Sequence, residues 1–394
     1  MTHKLYGDGV HDDRPAIQEM LDSGMAMVDL PSPEKCYRIG KPLRLHSNQE
    51  LRFPRYAVIS LLDNANCLMA ENSEPDDWNE NISISGGIWD MNHKNQWQNP
   101  YHFKMPNGLT GLEERKRDGY TPESGKFYSG YSGMCFRFRG IKNFTLKNLT
   151  IRNPVVYGVQ LAYVEDFTIG HIVFDYTEGS PKLWNLDGIH CEGGCKNGYV
   201  YDLKGACHDD LFAITSDDGC HGPIDNIAVK GIYSEKCHSA VRILSVSTPI
   251  RNIHISDVYG SFYAYCVTIS QYYEAHGKKG IVENLTLENI SASFCEGTID
   301  VPGNYEPLIA IKSGLRMKNL RISNLSRYET RCALPTVGIC EDTEITNVSI
   351  CDCEQVNVTG KPFSFIKNSG KLKNFDLRRV YSEDPLMEND GIID

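Results

Sequence analysis

The chain has 394 residues, 41% of them hydrophobic and 23% charged, with a formal net charge of −11. That composition suits an ordinary soluble protein with a large core, built as two average domains or as one long repetitive one. The acidic balance argues against a nucleic-acid partner, whose phosphates need a basic face, and no run of about 18 apolar residues offers a membrane span.

The N-terminal segment Gly7-Asp-Gly-Val-His-Asp-Asp13 leads into Arg14-Pro-Ala-Ile-Gln-Glu-Met-Leu21. Asp12 or Asp13 suits an N-cap and Pro15 the first helical turn. Ala16, Ile17, Met20 and Leu21 then share one face. A helix here, within residues 1–24, is expected to cover the open end of a solenoid, where strand edges would otherwise be exposed. No apolar leader core precedes it, so a cytoplasmic location is expected, or a secreted one if a signal peptide has been removed.

A degenerate unit then recurs: Asn or Asp, apolar, any residue, apolar. It runs as Asn81-Ile-Ser-Ile, Asn143-Phe-Thr-Leu, Asp166-Phe-Thr-Ile, Asn197-Gly-Tyr-Val, Asn226-Ile-Ala-Val and Asn252-Ile-His-Ile. It continues at Asn284, Asn319, Asn347 and Asn374. From Asn143 onward the steps run from 23 residues (Asn143 to Asp166) to 35 (Asn284 to Asn319). Such periods indicate a solenoid. The period-2, β-branched pattern makes its units strands, and Asn at a corner tolerates the left-handed conformation while bonding its neighbour above. The expected fold is all-β: a single-stranded right-handed parallel β-helix. One domain is expected over 1–394, with regular coils at about 140–380. A β-sandwich would have shorter strand spacing and no persistent Asn register.

Between about Asn92 and Ser132 a long irregular stretch carries Trp97, Tyr101, Phe103, Tyr120, Phe127, Tyr128 and Tyr131. Loops of that length are usually functional. This one is expected to lie over a cleft, stacking its aromatic faces on sugar rings or packing as a lid. Farther on, most units hold a second strand: Val156 to Leu161, Asp210 to Ile214, Ser239 to Ile243 and Tyr265 to Ile269. One side chain per strand points outward between two buried ones. The outward row reads Gln160, His190, Ala213, Arg242, Thr268, a mixed polar row of the kind a sugar groove needs.

Acids concentrate on three neighbouring coils: Asn185-Leu-Asp187-Gly-Ile-His190, His208-Asp209-Asp210 and Cys237-His238-Ser-Ala-Val-Arg242. The repeat register brings Asp187 beside Asp209 and Asp210, with His238 one coil on. Glycoside hydrolysis needs one group to protonate the leaving oxygen and another to activate water. Adjacent carboxylates push their pKa values apart and can supply both. Structural alternatives stand beside this reading: Asp187 as a turn residue before Gly188, Asp209–Asp210 as a solvated corner, His238 as a hydrogen-bonded core histidine, Arg242 as the partner of a nearby acid. Asp217, Asp218 and His221, with His208, are metal-type residues, but the glycines of 216–222 indicate a turn, and neither metal nor cofactor is expected. The 14 cysteines lie largely within strand-like runs and lack paired CxxC spacing, so they read as buried thiols in a reducing compartment.

At these residues the sequence resembles the polygalacturonases, the family 28 glycoside hydrolases of the pectin-lyase-like β-helix group. Asn185-Leu-Asp-Gly188 is similar to the family's Asn-Thr-Asp-Gly, with Leu for Thr, and Asp209-Asp210 to its Asp-Asp pair. His238 falls at its Gly-His-Gly, with Cys237 and Ser239 in place of the glycines. Gly86-Gly-Ile-Trp-Asp90 also resembles a family segment, while the Gly7–Asp13 motif is shared more widely, with pectate-lyase-like folds and phage tailspikes. The resemblance implies an inverting hydrolase of an oligo- or polysaccharide. In it Asp209 matches the general acid, Asp187 and Asp210 the pair that activates water, and His238 the histidine supporting the acid. Asn185, His190, His208, Gln160, Arg242 and Thr268 are the expected substrate contacts. The family's Arg-Ile-Lys, which grips a substrate carboxylate, should fall in the strand at 265–273, where Thr268 and Ser270 stand instead. A neutral sugar and an acidic one held differently, with Arg242 as substitute, are equally open. Two other functions fit the same fold. A polysaccharide lyase or uronate epimerase would need a cation to stabilise its anionic intermediate. A non-catalytic glycan-binding β-helix needs no reaction at all. A long solenoid can also stack or trimerise, so self-association is a further expectation.

Overall fold

The structure, a computed structural model, describes residues 3–120, 130–176, 185–271, 277–297 and 306–394. Phe127 and Tyr128 of the aromatic stretch, and the end of the strand expected at 265–273, lie outside them. The fold is a right-handed parallel β-helix: short strands wind into coils, and each strand pairs in parallel with its counterpart one coil on. Two compact units divide the chain, Met1–Cys191 and Glu192–Asp394. Among the described residues no helix is long and apolar enough to cross a membrane.

In the first unit, the helix Arg14–Asp22 buries Ala16, Ile17, Met20 and Leu21, the face its spacing predicts. The expected capping differs. Asp13 stands at the N-cap but makes no side-chain cap bond. Its buried carboxylate instead accepts the backbone N–H of Tyr6 (2.6 Å), Gly7 (3.0 Å) and Arg38 (3.1 Å). Asp12 accepts those of Arg14 and Gly40. The acidic pair therefore ties the N-terminal turn to the first coil, where three otherwise orphaned donors outweigh a single capping bond. The core of this unit is an aromatic chain, Tyr37–Phe53–Trp89–Phe136, with ring centroids 4.8–5.8 Å apart and edge-to-face tilts, the geometry aromatic quadrupoles favour. Strand Phe136–Arg152 lies beside Val159–Asp175 so that Phe144 faces Phe167 and Leu146 faces Ile169. This second strand begins at Val159, three residues later than its apolar pattern suggests, just after Gly158.

In the second unit the repeat is regular. Ile227, Ile253, Leu285, Leu320, Val348 and Phe375 stack in one internal column. Val241, Val267, Ile309, Val337 and Ile366 form another. Each such side chain is wholly or almost wholly buried apart from Phe375, and burial contributes about 1.5–3 kcal/mol per large aliphatic. Every repeat Asn takes a left-handed backbone, φ 55–61° from Asn197 to Asn374. Each side-chain amide donates to the previous one: Asn226 to Asn197 (3.0 Å), Asn252 to Asn226 (3.0 Å), Asn284 to Asn252 (2.7 Å) and onward to Asn374. The first unit has its own ladder, Asn143 to Asn81 to Asn48. Asparagine suits this corner because it accepts positive φ and carries both donor and acceptor.

The stretch expected as an irregular loop contains a 3-10 turn, His93–Asn95, and a short helix, Gly111–Arg117, closed by a Thr110/Glu113 capping box. Its aromatics pack on one another and on the coil. The Tyr131 hydroxyl donates to the Trp97 carbonyl (2.7 Å), and Tyr101 stacks on Tyr157 at 6.3 Å.

Candidate active site

In the first unit, Asp187 and His190 are both nearly fully buried and joined by a 2.7 Å contact between Asp187 Oδ2 and His190 Nδ1. Tyr157 stacks on the imidazole at 4.4 Å. The Asp187 carbonyl accepts from the Tyr176 hydroxyl (3.0 Å) and from the Gly158 N–H (2.9 Å). Glycine at 158 is required for this approach: a Cβ there would meet the Tyr176 hydroxyl at 2.4 Å and the Gly188 carbonyl at 2.7 Å. Asn185 sits in a left-handed corner, and its Oδ1 contacts His102 Nε2 at 2.8 Å, linking the aromatic stretch to the Asn-Leu-Asp-Gly segment. Gln160 is half-buried and lies in register with Arg137 on one side and His190 on the other.

In the second unit, Asp209 and Asp210 open the strand Asp210–Thr215, one coil before Ser239–Leu244. Their environments differ sharply. Asp210 is fully buried. Its Oδ1 accepts the Ser239 hydroxyl (2.5 Å) and the Tyr265 hydroxyl (3.0 Å), and its Oδ2 the Arg242 guanidinium (3.2 Å). Burial opposes ionisation, but Arg242, His238 and the two hydroxyls outweigh it and hold the carboxyl below the usual aspartate range. The same burial and the Asp210 charge push the Tyr265 phenol well above its ordinary value. Asp209 keeps 20% of its side chain exposed, and its Oδ1 lies 3.7 Å from His238 Nδ1. His238 is held edge-on between Tyr263 and Tyr265, with ring centroids 5.2 and 5.5 Å away. Beneath this pair, Cys207 and Cys237 have sulfurs 3.5 Å apart, and their thiols donate to the carbonyls of Asp209 and Ser239. His208 is half-buried beside them.

The outward row holds its register here: Ala213 faces Arg242, which faces Thr268. Yet it is largely covered. Ala213 and Thr268 are buried, and the Thr268 hydroxyl donates to the Ala310 carbonyl (3.3 Å). Arg242 is the partner of a nearby acid. One ligand atom each from Asp209, Asp210 and His238 falls within 4.8 Å of the others, close enough to hold a cation. Arg242 argues against a dication there, since both Asp210 oxygens already accept hydrogen bonds and a guanidinium abuts them. In the neighbouring turn, Asp217 Oδ2 accepts the backbone N–H of Val246, Ser247 and Thr248 at 2.7–2.9 Å. Burial raises its pKa, and these bonds more than offset that. Asp217 is thus an anchor for the turn of the next coil.

Sequence reasoning missed Ser239 and Tyr265, the two hydroxyls that set the state of Asp210. In the sequence Ser239 marks only a strand start and a departure from a glycine. Tyr265 had registered only as the start of a strand.

Residues 123–374 match the family described as glycosyl hydrolases family 28. Among curated proteins, rhamnogalacturonase A of Aspergillus aculeatus is 27% identical over 164 residues, 40% of this chain and 34% of the relative. Plasmin and fibronectin-binding protein A of Streptococcus pneumoniae is 27% identical over 160 residues, 36% of this chain and 22% of that protein. The matches thus span about a third or less of these relatives' lengths. Among solved structures, the family 28 exopolygalacturonase of Yersinia enterocolitica superposes with a TM-score of 0.68 at 16% identity, covering 99% of this chain and 76% of the other. A surface adhesin of Streptococcus pneumoniae gives 0.55 at 12%, covering 99% and 91%. These likenesses establish the β-helix, and the family match, which extends over well more than half the sequence, establishes the kinship: the chain belongs to glycosyl hydrolases family 28.

Proposed function

We propose that this protein hydrolyses a glycosidic bond with inversion of configuration, Asp209 donating the proton to the leaving oxygen. Asp210 and Asp187 take the activation of water, and His238 supports Asp209. The observation that carries the reading is the contrast between two adjacent carboxyls. Asp210 is sealed in and kept ionised by Arg242, Ser239 and Tyr265; Asp209 retains access to solvent and faces a histidine. An acid and a base drawn from one residue type require such a split in environment. The role of Asp187 rests on the family resemblance of Asn185–Gly188 and on its being a buried carboxylate oriented by a histidine.

Asp209→Asn is expected to lower release of reducing ends by roughly 10²–10⁴-fold, the usual contribution of a general acid, without changing the circular dichroism of the fold. The substrates to screen are polygalacturonate, rhamnogalacturonan and xylogalacturonan, with NMR of the first anomer released. Unchanged turnover in Asp209→Asn would sink the assignment, and a retained anomer would remove the inverting mechanism.

A second reading, glycan or protein binding without turnover, is favoured by one observation: Asp187 and Asp210 are each engaged with a cationic or potentially cationic neighbour, His190 and Arg242. The similarity to an adhesin accords with it. Tight retention on a glycan that is never cleaved would select this alternative.

A further inference from the structure

We propose that a pocket beside Trp78, in the first unit, is an accessory carbohydrate-binding site that takes a neutral pyranose ring. The pocket is lined by Trp78, Asn79, Glu80, Lys142 and Glu165 and encloses about 280 Å³. That is just under the roughly 300–1,000 Å³ of small-molecule pockets, a size for one sugar ring rather than a chain.

Trp78 is 57% exposed, and hydrogen bonds tie the loop that presents it to the coil. The buried Asn79 amide donates to the carbonyls of Glu74 (2.7 Å) and Asp77 (3.1 Å). Arg139 donates to the Pro75 carbonyl (2.9 Å) and the Asp76 carboxylate (3.2 Å), with its guanidinium lying over Tyr163 at 5.4 Å. Gly140, at φ +63°, lets the loop lie against the coil, since a Cβ there would stand 2.8 Å from the Asp77 carbonyl. A large aromatic face exposed to water on a preformed loop spares a ligand the cost of ordering the loop backbone. It offers an apolar surface to the C–H face of a sugar and an indole N–H at its edge.

The floor supplies the polar contacts. Register places Glu80, Lys142 and Glu165 side by side on three consecutive coils. Two carboxylates flanking one ammonium present alternating acceptors and donors to ring hydroxyls. Their sum is negative, which disfavours a uronate and selects a neutral sugar. The left-handed residues Gly140 and Tyr163 turn the two strands just before Lys142 and Glu165. The pocket therefore lies on the next face of the coil from Arg137 and Gln160.

The test is affinity electrophoresis of the full chain carrying Asp209→Asn, which slows turnover if Asp209 has its proposed role, in gels containing β-1,4-galactan, xyloglucan or polygalacturonate. Retardation is expected in at least one of the two neutral glycans. Adding Trp78→Ala should weaken that retention at least tenfold, and Lys142→Met should weaken it measurably. Equal retention with and without Trp78, retention by polygalacturonate alone, or no retention by either neutral glycan would each overturn the proposal.

Discussion

Arg242→Met removes the guanidinium facing Asp210 while keeping most of the side chain's volume. Asp210 is fully buried and Arg242 keeps only 19% of its side chain exposed. Stranding one partner of a buried pair costs about 3–5 kcal/mol. The lower end applies, because Ser239 and Tyr265 still bond the carboxylate, so about 3 kcal/mol is expected at pH 7. With an unfolding entropy of about 2.1 cal/mol/K per residue, a chain of 394 residues melting as one would lose about 4 °C. The loss would be about twice that if the unit Glu192–Asp394 melts alone. The pH dependence gives a sharper test. The folded carboxyl of Asp210 lies below its unfolded value, so its stabilising contribution is present above about pH 4 and is lost as the pH falls through the folded pKa. In the variant, burial opposes ionisation with less compensation, and protonation relieves the penalty. The difference between wild type and Arg242→Met, followed by urea denaturation, should therefore shrink steadily from pH 7 to pH 4. Adding Asp210→Asn to Arg242→Met should recover part of the loss. A penalty that is the same at both pH values, or absent at pH 7, refutes the account of Asp210 as a carboxylate kept charged by its arginine.

Three other outcomes are expected besides the loss of sugar release in Asp209→Asn. Asn284→Ala removes two ladder bonds and forces alanine into a left-handed corner, with a loss of about 2 kcal/mol in denaturant titration. Asn284→Gly should lose less, and equal losses would discount the backbone argument. Arg327 and Glu329 form a fully buried ion pair 2.9 Å apart, the guanidinium lying between Phe294 and Phe363. Arg327→Met should cost about 3–5 kcal/mol by the same denaturation measurement, and a smaller cost when combined with Glu329→Gln; additive losses would contradict the pairing. All 14 cysteines are free thiols, so dithiothreitol should leave the thermal midpoint unchanged. A drop would reveal a disulfide, with Cys207 and Cys237 the pair to examine first.

The β-helix was legible because its corner residue is chemically singular. A side chain that tolerates positive φ and both donates and accepts can bond its neighbours above and below along a column, so the Asn register marked the coils before any strand was assigned, although the corner at Asp166 keeps the positive φ without a donor. Asp209 and Asp210 stood out in the sequence because two acids at the head of a buried strand fit no packing need. What the sequence hid were partnerships made across coils. Ser239 and Tyr265 reach Asp210 from 29 and 55 residues away, and hydroxyl residues in strands carry no mark of such a duty. His102 meets Asn185 across 83 residues, from a stretch with no periodicity to place it. At Asp217 the glycines marked the turn, while the acid's partners stayed hidden. A metal-type residue on a glycine-rich turn spends its carboxylate on three peptide N–H groups, a use that only the neighbouring coil reveals.

The asparagine column of the second unit joins corners that are 26 to 35 residues apart. Since every rung of the column keeps its Asn–Asn hydrogen bond, differences in coil length are taken up elsewhere, in the excursions between strands. Scaffold and surface chemistry are thereby uncoupled: an excursion can lengthen, shorten or change its side chains while the hydrogen-bonded spine is untouched. A protein so built can acquire a new specificity by altering its loops one at a time, each change being felt by the adjacent rungs and little beyond them.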